Sequence, residues 1–138
     1  MRTSPRPWRL ALVAAALLAF PAVAAEPVRW ARLAPLPDSE GFAYPFAGVH
    51  RGALLVAGGA NFPGKRPWDG GEKVWYDTVF VLERPEGAWK IGGRLPRPLG
   101  YGVSIPTPDG VLCLGGSDAG GHHADAFLLR WEEGRIAT

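Results

Sequence analysis

Ala53-Leu54-Leu55-Val56-Ala57-Gly58-Gly59 is answered 57 residues later, counting from Gly58 to Gly115, by Val111-Leu112-Cys113-Leu114-Gly115-Gly116. Apolar runs of this length suit buried strands better than helices, which need ten or more residues to close their turns. Glycine at the end of such a strand lets the backbone turn where a Cβ would collide with crowded neighbours. Further along, Phe80, Leu82, Gly87 and Trp89 match Phe127, Leu129, Gly134 and Ile136 at an offset of 47. The ten-residue difference between the two offsets places one insertion in the first unit, between its glycine pair and its next strand. Each unit therefore reads as a strand, a turn (His50-Arg51-Gly52 or Pro108-Asp109-Gly110), an apolar strand ending in Gly-Gly, a loop, and a third strand preceded by Asp. A turn at Glu86-Gly87 or Glu133-Gly134 and a last strand complete it. Repeats of this size are β-propeller blades, in which Trp89 and its counterpart Ile136 are expected to pack between neighbouring sheets.

The rest of the chain agrees with an all-β reading. Short apolar runs bounded by turn residues fall at residues 46–49, 53–57, 78–82, 89–91, 101–105, 111–114 and 126–131, while glycine (19) and proline (14) interrupt any helical period. A blade is a four-stranded antiparallel sheet covered on both faces by its neighbours. Two blades leave two apolar faces open, and propellers usually have about four to eight. The expectation is a partial propeller, with blade one near residues 41–92 and blade two near residues 99–138, in a truncated sequence. An authentic two-blade chain would instead pair with other copies of itself or with another chain.

Residues 1–25 read as an address. Arg2, Arg6 and Arg9 precede the apolar run of residues 10–20, and Ala22-Val23-Ala24 supplies the small residues of a cleavage site. That run is well short of the roughly 20 residues a membrane span needs, so the expectation is a cleaved signal peptide, no stable membrane anchor and a periplasmic mature chain from residue 26. Cys113 is the only cysteine, which excludes an internal disulfide, and its apolar flanks make it a buried hydrophobe. The net charge of +2 owes much to the leader arginines, and the remaining charges are interspersed, which argues against a nucleic-acid partner.

In an antiparallel blade successive turns alternate between two rims, so the loops after the glycine pairs share a rim with the connections between blades. That rim collects residues 37–44, the insertion at 60–75, the connection at 94–99 and residues 117–124. Tyr44, Trp68, Trp75 and Tyr101 offer flat faces to sugar CH groups, and Glu40, Asn61, Lys65, Arg66, Arg97 and Asp118 offer donors and acceptors for hydroxyl or carboxylate groups. His122-His123 beside Asp125 lacks a third ligand at a recognisable spacing, so neither a metal nor a cofactor is expected. His50, beside a turn, reads as structural. No nucleophile elbow, phosphate loop or zinc signature is present.

Gly41-Phe42-Ala43 through Phe46-Ala47-Gly48, the run Leu54-Leu55-Val56-Ala57-Gly58-Gly59-Ala60-Asn61-Phe62-Pro63-Gly64, and Tyr101-Gly102-Val103-Ser104-Ile105 followed by Leu114-Gly115-Gly116 resemble the kelch-repeat sialic acid mutarotases, or N-acetylneuraminate epimerases. The insertion after the first glycine pair is the most specific part, and the order of blades after the leader resembles the cyclically permuted branch. The resemblance implies an all-β, kelch-type β-propeller, here two four-stranded blades of six. It further implies a periplasmic isomerase that interconverts the anomers of N-acetylneuraminate by general acid/base chemistry without a cofactor. It also implies a basic residue on the sugar carboxylate, for which Arg97, Arg66 and Lys65 are available.

The family's acid/base Glu and neighbouring Arg lie in a Glu-Ala-Lys-Pro-Gly-type segment that this sequence does not contain, so no catalytic residue is assigned. Where ordinary members carry Arg two positions before the Tyr, this chain has Leu99, with Arg97 two residues earlier. The substrate-binding expectation is Asn61, Lys65, Arg66, Arg97, Tyr101 and Asp118. The alternative is a non-catalytic kelch module that binds a glycan or protein. A copper oxidase on the same fold would need tyrosine, histidine and cysteine ligands that this chain does not assemble.

Overall fold

The structure is a computed structural model that describes residues 28–138. The expected leader lies outside the described residues. The chain divides into two compact units, Met1–Ala31 and Arg32–Thr138, and the described part of the first, residues 28–31, is exposed and without regular structure. In the second unit, four strands form one antiparallel sheet in the order β1 (Phe46–His50), β2 (Ala53–Ala57), β5 (Thr78–Leu82), β6 (Lys90–Arg94). A second sheet repeats the plan with β7 (Val103–Thr107), β8 (Gly110–Leu114), β11 (Ala126–Glu132) and β12 (Arg135–Ala137). All neighbours pair antiparallel. β1 packs against β7 and β8, and β6 against β12, so the sheets stack first strand on first and last on last.

Alternation decides which side chains meet. Ala53, Leu55 and Ala57 of β2 point into the space between the sheets, where they join Phe46, Val79 and Val81. Val111, Cys113, Leu129 and Trp131 of the second sheet meet them there, with Leu95 and Leu99 of the connection closing one end. Glycines stand where large side chains arrive. A Cβ at Gly48 would lie 2.7 Å from Val111, one at Gly92 2.9 Å from the Trp131 ring, and one at Gly93 2.9 Å from Ile136. Such recesses let two flat sheets approach to close packing. Two polar contacts cross the same interface. Ala47 N–H donates to Ser104 Oγ at 3.0 Å, and Trp131 N–H donates to the buried His50 Nδ1 at 2.9 Å, confirming His50 as structural.

Two expectations need correction. Trp89 lies outside β6 and is only half-buried, with its indole N–H bound to Ala34 O at 2.8 Å, and Trp131 with Ile136 fills the space between sheets instead. The reason lies in the last hairpins. Residues 83–89 connect β5 to β6, whereas the left-handed pair Glu133 (φ 50°) and Gly134 (φ 78°) alone connects β11 to β12, so the 47-residue offset does not survive into the fourth strand. The segments after the glycine pairs are also not plain loops. Each folds into a two-stranded ribbon, β3 (Ala60–Asn61) with β4 (Val74–Trp75), and β9 (Ser117–Asp118) with β10 (Gly121–His122). The insertion is then residues 62–73, with a short 3-10 turn at Pro67–Asp69, where the second unit has only Ala119 and Gly120. Among the described residues no helix is long and apolar enough to cross a membrane.

Cys113 is fully buried, and burial pushes its thiol up to about 12. The neutral thiol's contribution to stability is complete below the unfolded thiol's value of about 8.5 and is lost as pH rises toward 12. At pH 8 the native chain should resist a thiol-exchange reagent, and the urea-unfolded chain should react stoichiometrically within minutes. Equal rates in both states would show that Cys113 is not in the core.

Candidate functional site

Antiparallel pairing sends the turns at 51–52, 108–109, 83–89 and 133–134 to one rim. The ribbons, the 95–102 connection and the segment before β1 go to the other. On that second rim the 57-residue repeat extends beyond the strands. Ala43 bridges Ala60 in the first unit as Gly100 bridges Ser117 in the second. The next residues, Tyr44 (φ 50°) and Tyr101 (φ 65°), are both left-handed, a conformation that strains a non-glycine residue by about 1–2 kcal/mol. The bridges and the bond from Tyr101 N–H to Tyr44 O, at 3.0 Å, hold the strain in place. The kink turns the two rings onto each other, stacked with centroids 4.8 Å apart and planes 27° from parallel. Lys73, from the insertion, brings its ammonium 3.9 Å from the centre of the Tyr101 ring and 4.9 Å from that of Trp75.

A second repeated device sits beside this shelf. Asn61 and Asp118 follow the two glycine pairs at equal distances, and Tyr76 and His123 each donate a backbone N–H to the second glycine of a pair, Gly59 or Gly116. Their side chains close the same link: Tyr76 O–H donates to Asn61 Oδ1 at 2.8 Å, and His123 Nε2 lies 2.9 Å from Asp118 Oδ2. The latter is near enough for an ion pair, although it is not in line for an ideal N–H···O bond. In the second unit the link continues outward. Arg97 Nη1 lies 3.1 Å from His123 Nδ1, and Arg97 Nη2 lies 3.6 Å from Asp125 Oδ2.

The Asp118 carboxyl is held below the usual carboxylate range, first by the His123 side chain, then by the Gly120 N–H at 2.7 Å, with the Arg97 charge adding to it. A depressed carboxyl stabilises the fold above the unfolded value of about 3.9 and stops doing so as pH falls through its own lower value. In His123→Ala the Asp118 titration, followed by carbonyl NMR, should move up toward about 3.9. An unmoved midpoint would mean that the contact with His123 carries none of the shift.

The residues expected from sequence fall into three neighbouring grooves. Asn61, Arg66 and Tyr101 line one of about 500 Å³ together with Glu40 and Phe42. Asp118 lines a second of about 440 Å³ with Lys73, Trp75 and Pro98. Arg97 lines a third of about 270 Å³ with Leu99, Asp125 and Phe127, and Lys65 is exposed and lines none of these. Asn61 is partly committed, since Nδ2 donates to Gly41 O at 2.9 Å. Arg97 is committed to His123 and Asp125. Sequence reasoning did not single out Lys73 or Tyr76, and it weighed His123 only as a metal ligand. Carrying the 57- and 47-residue offsets a few positions past the glycine pairs would have matched Tyr76 to His123, but nothing in the sequence signals the fold-back of Lys73. Among the described residues no three His, Cys, Asp or Glu side chains are grouped to hold a metal ion.

Stacked four-stranded sheets, each with a left-handed glycine pair leading to the same rim, define a kelch-type β-propeller module. YjhT, a solved structure, superposes with a TM-score of 0.71 at 29% identity, covering 79% of this chain and 34% of that one. The N-acetylneuraminate epimerase family model matches residues 19–138, and the chain belongs to that family. The N-acetylneuraminate epimerase of Yersinia pestis is 42% identical over 109 residues, 70% of this chain and 27% of that protein. That of Brucella suis is 37% identical over 119 residues, 75% of this chain and 30% of that protein. The chain thus spans between a quarter and a third of the length of these relatives.

Proposed function

We propose that the chain acts on the anomers of N-acetylneuraminate as part of a mutarotase, contributing the sugar-binding rim of two blades, and that it works in the periplasm. The observation that carries this reading is an aromatic shelf with an unneutralised cation, set between two grooves that each carry a few polar side chains, in a member of the epimerase family. Interconversion takes the proton from the anomeric hydroxyl and delivers one to the ring oxygen. The bond between the anomeric carbon and that oxygen breaks to an open ketone, which rotates and recloses on its other face. Tyr101 and Tyr44 would support the ring's CH face, and Asn61 and Arg66 would hold hydroxyl or acyl oxygens across the groove. The proton-moving residues are not assigned.

Asp118 favours a second reading, a sugar-binding module without catalysis. A carboxyl held below its ordinary range is a poor proton donor at neutral pH, and its neighbour Arg97 is always charged. Freshly dissolved crystalline N-acetylneuraminate, followed by proton NMR, separates the two. The mutarotase reading expects the chain to bring the anomers to equilibrium at least about a hundredfold faster than buffer, the lower end of what positioned acid/base groups supply. Shifted sugar resonances with an unchanged rate would leave only binding.

A further inference from the structure

The cations of this rim are not equivalent. Arg94 is bound to Asp77 at 2.6 Å and Arg97 to His123 and Asp125, while Arg66 leans over Trp68, 5.5 Å from its ring, out on the insertion. Lys73 differs from all of these. Among the described residues no carboxylate lies within ion-pairing distance of it, yet its ammonium rests against Tyr101 and Trp75, between the groove that Tyr101 lines and the groove that Lys73 itself lines. The rings shed water from one side of the ammonium and leave its charge unneutralised, which readies it for an anion arriving from the grooves.

We propose that Lys73 is the specificity residue of the site, recognising sugars that carry a carboxylate on the anomeric carbon. This rests on the sialic acid reading above. In such a sugar the carboxylate changes direction when the anomers interchange, because it is attached to the carbon that opens and recloses. A guanidinium fork fits a carboxylate in one planar arrangement, whereas an ammonium is a compact charge on a flexible four-carbon stem and holds the carboxylate in either direction. The Tyr44–Tyr101 stack beside it supplies the surface on which the rest of the ring stays fixed.

Titrations of the full chain with N-acetylneuraminate and with its methyl ester, read by calorimetry, test this in the parent chain and in Lys73→Met, Lys73→Arg and Lys65→Met. The ester removes the charge and leaves the ring. The parent should bind the acid about tenfold or more tighter than the ester, the range of a hydrogen bond to a charged group. Lys73→Met should bind both with the weaker affinity, Lys73→Arg should keep a preference for the acid, and Lys65→Met should match the parent. A mere packing role for Lys73 would weaken acid and ester together and leave their ratio unchanged, which overturns the proposal. So would equal binding of acid and ester by the parent, with the sugar-binding reading intact. Binding of neither compound removes the sialic acid reading itself and this inference with it.

Discussion

Gly58→Ala should lose more than about 4 kcal/mol of stability, whereas Gly115→Ala should lose only about 1–2 kcal/mol, although the two glycines are repeat equivalents with nearly the same backbone. Their φ angles are 66° and 63°, so each substitution carries the same left-handed strain. The surroundings differ. A Cβ on Gly58 would lie 2.1 Å from Leu99 O and 2.8 Å from the Leu95 side chain, while one on Gly115 meets only His123 O at 3.4 Å. Leu99 cannot retreat cheaply. Its carbonyl accepts the Gly59 N–H at 2.9 Å, its side chain is buried, and its N–H donates to Tyr76 O. The alanine therefore tears the connection between blades from the end of β2. A cost above about 4 kcal/mol is a large share of the 5–15 kcal/mol that holds a domain folded. Urea melts of both variants followed by tryptophan fluorescence decide the matter, and equal losses would show that Leu99 does not lie over Gly58.

The second large effect is expected at the interface between sheets. Trp131→Ala should lose about 3–5 kcal/mol, because it empties a buried indole from between the sheets. Trp131 is 7% exposed, and its ring occupies the recess that Gly92 leaves. Trp68→Ala, which removes an indole that is 76% exposed on the insertion, should stay within about 0.5 kcal/mol. Gly92→Val is the reciprocal test, since it fills the recess from the other side and should destabilise without removing any contact. If Trp131→Ala proves as mild as Trp68→Ala, the two sheets do not pack through that face.

Strand content was legible because the apolar runs of β2 and β5 are short, bounded by turns and flanked by the glycine pairs, and the structure places β2 and β5 at 53–57 and 78–82 as read. The fourth strand misled. A match of Gly87 and Trp89 to Gly134 and Ile136 is a match of turn composition, and a two-residue left-handed turn cannot be told from a longer connection by composition alone. The ribbons escaped notice because strands of two residues show no alternation.

At the site, which loops share a rim was legible, since antiparallel geometry fixes it. The partners of their side chains could not be read in advance. Arg97 finds His123, 26 positions away, and Tyr44 meets Tyr101 only because two bridges force a non-glycine kink at each. Those contacts come from the stacking of the sheets, which no single segment encodes.

The central claim is that two repeated sheets bring their post-glycine segments to one rim and that this rim receives the sugar. Backbone amide NMR of the full chain titrated with N-acetylneuraminate tests it most directly. Shift changes should gather at residues 40–44, 61–75, 97–101 and 117–123, with the tyrosine pair and Lys73 among the largest. The opposite turns at 51–52, 108–109 and 133–134 should stay still. Changes centred on those turns, or spread evenly over both rims, would contradict the account.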